Sequence, residues 1–323
     1  MYVPSTAVPC RDPDHRSPLR LGLWLFSTLL VLGPFPANPS AAEPLTPALK
    51  VLETEATIEV QRGSALVLRY WKQPPPAAAD HPPALARSGY IHPLVTPSGR
   101  VVSDDLSPHH PHQHGLFFAW TKAEYQGHDV EFWNEPLQKG KIRYLKTIGL
   151  SNEADRVGFE VLHSFDDLTA PAGPQAVLIE SWKVVVRQRE NRYEIELESR
   201  QKCATDQPLK ILQYHYGGMA FRGSAQWLDT TDLRIRTSQG LGRQAGNHTR
   251  PDWVIMSGLV DGAACGVKIT PDVKNFRHPQ WVRLHPSLPY FVFSPMVEEP
   301  FEIRPGSEYV SRFKMDVFDG AGD

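Results

Sequence analysis

A chain of 323 residues and 36.3 kDa can bury a substantial core, as one large β domain or two smaller ones. Charged residues make up 22% and apolar residues 41%, and a formal charge of -2 with no long basic run excludes non-specific nucleic-acid binding as the main task. Thirty prolines set the composition against an all-helical fold, because helices tolerate proline only at their starts.

The first 42 residues read as an export signal. Arg11, Arg16 and Arg20 precede the apolar run Leu21–Leu32, Pro34, Pro36 and Pro39 break it, and Ser40-Ala41-Ala42 offers small residues for cleavage. A membrane anchor is the other reading, but about 12 apolar residues fall short of the roughly 20 that a bilayer span needs. The expectation is a periplasmic or secreted chain, 43–323, with no membrane contact after cleavage. Cys203 and Cys265 remain in it, as one disulfide or as two free thiols.

From there β signals dominate. Residues 43–50 read as a lead-in. Ala65–Trp71 is rich in strand formers and stops at Pro74-Pro75-Pro76, and Thr96-Pro97-Ser98-Gly99 has turn chemistry after Ile91–Val95. Val157–His163, Ala176–Arg187 and Arg192–Glu198 follow as strands. In the last of these, Tyr193, Ile195 and Leu197 alternate with charges, the pattern of a half-buried strand. Further strands are expected at Leu209–Tyr216, Val254–Leu259, Gly266–Ile269, Tyr290–Phe293 and Tyr309–Val317. Many short strands with almost no helix predict an all-β fold, a large antiparallel two-sheet sandwich. One domain over 43–323 is preferred, with a split near Pro171-Ala172-Gly173-Pro174 as the alternative.

The densest chemistry lies in Arg87–Trp133, where four of the 13 histidines (His109, His110, His112 and His114) fall within six residues before an apolar aromatic run. On a strand His112 and His114 would point to one face and present two nitrogens to a metal or a substrate. Asp104, Asp105, His110 and the distant His215 can complete a metal set of the zinc, manganese or iron type. A metal-free histidine site and a merely structural cluster remain open beside it, since Pro108 and Pro111 favour a loop. In Gln213–Gly223, His215 lies beside a Gly pair, and Arg222 can hold a carboxylate or oxyanion or pair with a structural acid. Arg277 and His278 lie near Trp281, and Trp120 closes the aromatic run, a composition suited to sugar recognition. No His-Glu-x-x-His helix, Gly-x-Ser-x-Gly elbow or Gly-x-x-x-x-Gly-Lys loop is present.

Tyr90-Ile91-His92-Pro93, Thr96-Pro97-Ser98-Gly99, His114-Gly115-Leu116-Phe117-Phe118, Phe132-Trp133, Tyr216-Gly217-Gly218 and Phe221-Arg222-Gly223 resemble the DUF6807 family, often labelled "methane oxygenase PmoA". The likeness continues through Asn275-Phe276-Arg277 to Asp319-Gly320. It implies a secreted bacterial β-sandwich similar to galactose-mutarotase-like proteins. The expected function is a carbohydrate-active enzyme acting on a sugar or keto-sugar as an epimerase, lyase or hydrolase. His92, His110, His114 and His215 are the candidate acid–base residues, and Trp120, Arg222, Arg277 and His278 the candidate substrate contacts. His112, His114 and His215 are the candidate ligands should a divalent metal be bound. A metal-dependent oxygenase, as the label implies, and a non-catalytic carbohydrate-binding module are the alternatives.

Overall fold

The computed structural model describes residues 48–76 and 81–322, so the expected signal segment 1–42 lies outside it. Residues Thr46–Asp323 form one compact unit built on two eight-stranded sheets and one small sheet. The first sheet runs, edge to edge, Leu49–Glu53, Thr57–Arg62, Ala65–Trp71, Tyr90–Leu94, Leu116–Ala119, Gly218–Arg222, Tyr290–Ser294 and Trp281–Leu284. The second runs Arg234–Thr237, Val254–Val260, Ala263–Pro271, Glu308–Asp319, Arg192–Cys203, Gln175–Gln188, Val157–Asp167 and Gly140–Asn152. Phe301–Ile303, Leu209–Ile211, Ala123–Tyr125 and His128–Val130 make the small sheet. All paired strands are antiparallel. The fold is the all-β antiparallel sandwich that the strand pattern predicts.

Alternation along each strand decides what lies between the sheets. Phe118 and Met219 are cross-strand neighbours, as are Met219 and Phe293, so all three share one face. Phe118 meets Tyr309 and Phe293 meets Phe313 from the second sheet, which marks that face as the core. In the second sheet Tyr193, Ile195 and Leu197 are buried, as their spacing requires. The residues in between must face away. On the first sheet these are Tyr90 and His92, then Phe117, Ala220 and Arg222, then Tyr290, Val292 and Arg283. Most are nonetheless buried, because the 104–114 loop and the 131–137 segment contact them.

Several expectations shift in detail. Leu49 already starts a strand inside the expected lead-in, and Arg192–Cys203 outruns the predicted seven residues because it pairs on both sides along its whole length. The expected strand Leu209–Tyr216 ends at Ile211. His215 therefore lies in a loop that turns through Gly217 and Gly218, at φ +140° and +118°, where a side chain would strain the backbone. Pro171–Pro174 lies in the connection between two neighbouring strands of one sheet. Cys203 and Cys265 are free thiols.

Candidate functional site

The outer face of the first sheet carries an ionic core beneath its loops. His114 directs Nδ1 to Asp105 Oδ1 at 2.6 Å and Nε2 to Glu135 Oε2 at 3.2 Å. Tyr90 donates to Asp105 Oδ2 at 2.7 Å, and Arg87 stands 3.5 Å from Glu135 Oε1 while donating to the Phe118 carbonyl at 2.8 Å. Burial works against a charged imidazole here, yet Glu135 and Asp105 carry the His114 pKa up to about 9. His114 is therefore an imidazolium at neutral pH with both ring nitrogens donating. Its neighbour Gly115 is required by packing, since a Cβ there would collide with the Ile91 carbonyl and sit 3.0 Å from His92 Cβ.

Arg222 secures the loop that carries the other histidines. It is fully buried and donates to Ser107 Oγ at 2.8 Å and Gln113 Oε1 at 3.1 Å, with Asp104 Oδ2 3.5 Å from its Nε. Backbone bonds from Asp104 to the Arg222 carbonyl and from Arg222 to the Gly115 carbonyl tie loop and strand together. Turns from Ser107 to His110 and from His110 to Gln113 then fold the loop back on itself.

That loop sets His110 and His112 at the surface of the face. Their ring centroids are 5.5 Å apart, and His285, which follows the Trp281–Leu284 strand, lies 5.4 Å from His110. All three are half-buried. Burial, then His110, His114 and Arg222, push His112 down to about 4. Burial, then His110, Arg283, Arg222 and Arg243, push His285 down to about 4, and burial with Arg222 and His109 lowers His110. These rings are neutral at pH 7. His285 Nδ1 accepts from the Leu288 and Ser287 amides at 2.9 and 3.3 Å, so its proton is on Nε2. His110 Nδ1 and the Tyr290 hydroxyl are buried and have no partner among the described residues. Trp133 meets Tyr216 at 5.2 Å and Tyr290 at 6.0 Å and forms an aromatic wall beside them.

The remaining candidates have other surroundings. His92 faces outward and shares a hydrogen bond with Ser103 Oγ at 2.9 Å, and burial lowers its pKa. His215 is exposed, in tilted ring contact with Tyr214 at 4.2 Å, and its carbonyl accepts from His248. Trp120 is a core residue and not a ligand contact: fully buried between the sheets, it donates to Gln201 Oε1 at 2.7 Å. Arg277 spends its guanidinium on the Pro295, Glu299 and Pro300 carbonyls, which leaves it to staple that loop. His278 stands 3.9 Å from Asp252, and its hydrogen bonds and ring contacts do not reach the His110 group. The proposed metal set does not assemble, because Asp105 and Glu135 occupy both nitrogens of His114. No three His, Cys, Asp or Glu side chains form a metal-holding group among the described residues. The donors thus do not fit the metal that the oxygenase label implies.

His285, Arg283, Glu135 and Tyr290 escaped the sequence reading. Alternation along Trp281–Leu284 does place Arg283 outward, but only the strand order brings that edge beside the 104–114 loop. A hollow of about 1030 Å³ lies instead on the outer face of the second sheet. Several of its charges pair with one another, as with Arg187 and Glu196 at 2.7 Å, or Arg200 and Arg312 on Glu198.

Fold and face together define an antiparallel β-sandwich with a histidine–arginine surface on one outer side. The chain belongs to DUF6807, a family of unknown function whose model matches residues 57–323. No curated protein matches it. Among solved structures, the α-galactosidase AgaA from Geobacillus stearothermophilus is 13% identical with a TM-score of 0.36, covering 84% of this chain and 40% of that one. A galactose mutarotase related enzyme from Lactobacillus acidophilus is 10% identical with a TM-score of 0.34, covering 85% and 98%. The chain thus spans about two fifths of the α-galactosidase, and at such scores neither protein's activity transfers to it. Among the described residues no helix is long and apolar enough to cross a membrane.

Proposed function

We propose that this protein is a carbohydrate-active enzyme performing acid–base chemistry on a sugar or keto-sugar at the outer face of the first sheet. The observation that carries this reading is the group His110, His112 and His285: three neutral imidazoles in ring contact, half-open to solvent, with a buried unpartnered nitrogen and phenol beside them. Buried polar atoms are normally satisfied, and those left without a partner mark a place where a ligand can supply one.

The roles divide by protonation. His110 and His112 have lone pairs able to take a proton from a hydroxyl, or from carbon next to a keto group. His285 Nε2–H and the Tyr290 hydroxyl donate to the oxygen on which charge develops, and burial keeps Tyr290 protonated by raising its pKa well above the ordinary value. Tyr216, half-buried and backed by the buried Trp133, offers an apolar face to a ring. His114 and Arg222 act as positioning residues. The test is a thermal-stability screen against mono- and disaccharides, including oxidised ones, since a ligand at 100 times its Kd stabilises by about 2.7 kcal/mol. A sugar that stabilises the protein and is turned over, with turnover lost in His110→Ala, is the expected result. Binding without any turnover would favour a carbohydrate-binding module. No stabilisation by any sugar would sink the reading.

A further inference from the structure

We infer that the sugar taken by this face is an acidic one, and that Arg283 holds its carboxylate. The inference rests on the proposed carbohydrate site and narrows its substrate class. Arg283 lies on the outward side of the Trp281–Leu284 strand, directly across from Val292. It is half-buried and has no hydrogen-bond or ion-pair partner among the described residues. Alternation puts it on the same side as His285 two residues on, and its charge acts on His285 and Tyr290 of the site as well as on His215 and His248 outside it.

The surrounding cations are already engaged. Arg222 is spent on Ser107, Gln113 and Asp104, and Arg243 donates to the His285 and Leu288 carbonyls at 3.0 and 2.9 Å. The carboxylates nearest the histidines, Asp105 and Glu135, are committed to His114. One guanidinium with an unpaired planar fork is thus left on the outward face that carries His285. That fork matches one carboxylate in two parallel hydrogen bonds. A neutral sugar would leave this charge uncompensated in a half-desolvated place. A bound carboxylate would offset it and, by adding a negative charge near His285, make that ring easier to protonate.

Isothermal titration of the full chain with D-glucuronate, D-galacturonate, D-glucose, D-galactose and D-glucose 6-phosphate tests this, with Arg283→Gln and Arg283→Lys as variants. The expected result is a uronate bound at least 10-fold more tightly than its neutral parent. That preference should fall below 3-fold in Arg283→Gln and partly return in Arg283→Lys, while affinity for the neutral sugar changes little. Equal affinity for neutral and acidic sugars would overturn the inference and leave the carbohydrate reading standing. A sugar phosphate binding as tightly as the uronate, with the same loss in Arg283→Gln, would overturn the choice of a carboxylate. Binding of none of the five would bring down both.

Discussion

His114 and His163 on one side, His110, His112 and His285 on the other, show how differently one side chain is used within a single sandwich. His114 and His163 are fully buried and saturated: Asp105 and Glu135 hold the first, while Tyr70 at 2.5 Å and Glu180 at 2.9 Å hold the second. The second group is half-buried, surrounded by other imidazoles and by arginines, and lacks carboxylate partners. His114, given two carboxylates, becomes a fixed cation that organises structure. A histidine denied them stays neutral and available.

The sharpest way to break this comparison is to delete one ring from each class. His114→Ala strands Asp105 and Glu135 without their cation, and losing one partner of a buried charged network costs roughly 3–5 kcal/mol. In a protein this size that lowers Tm by on the order of 10 °C, read by calorimetry. Next in size is the alkaline limb of stability. The folded pKa of His114 is raised to about 9 from an ordinary 6.5, so its contribution is complete below pH 6.5 and is lost as pH rises through 9. Urea melts should show a fall on the order of 3 kcal/mol across that window, absent in His114→Gln. Gly115→Ala forces the Ile91 carbonyl and His92 aside and should cost about 1–3 kcal/mol in the same melts.

Smaller effects belong to the neutral rings. His112 and His285 sit at about 4 when folded, so the unfolded chain binds more protons between pH 6.5 and 4 and stability declines as pH falls through that range. Replacing either with Gln should flatten this acid limb and leave the alkaline one intact. Smallest of all, His110→Ala should stay within about 0.5 kcal/mol of the wild type, as surface changes generally do. A His110→Ala protein as unstable as His114→Ala would show that the two classes are one.

Much of the fold was legible from period and composition. The Ala65–Trp71 strand, the turn at Thr96–Gly99 and the inward set Tyr193, Ile195 and Leu197 follow from residues adjacent in sequence. Gly140–Asn152 was not legible, because it is an edge strand whose outer half is mostly exposed and carries little alternation. The site was half legible. The histidine run announced itself, but four rings in six residues cannot reveal which of them faces inward. That depends on Asp105 and Glu135 meeting across 30 positions, on Gly115 allowing close approach to Ile91, and on Arg283 and His285 arriving from a strand about 170 residues away. Trp120 misled for the same reason: its aromatic neighbours point to alternate sides, and hers is the inner one.

The seven residues from His114 to Trp120 serve two masters at once, the ionic cluster through His114 and Phe117 and the intersheet core through Leu116, Phe118 and Trp120. Length changes should therefore be nearly forbidden in this stretch, because one inserted residue would send each downstream side chain to the opposite layer. Lineages that diversify the protein, or libraries built to retarget it, would keep this stretch at fixed length and vary exposed positions of the preceding loop such as Pro108 and His109.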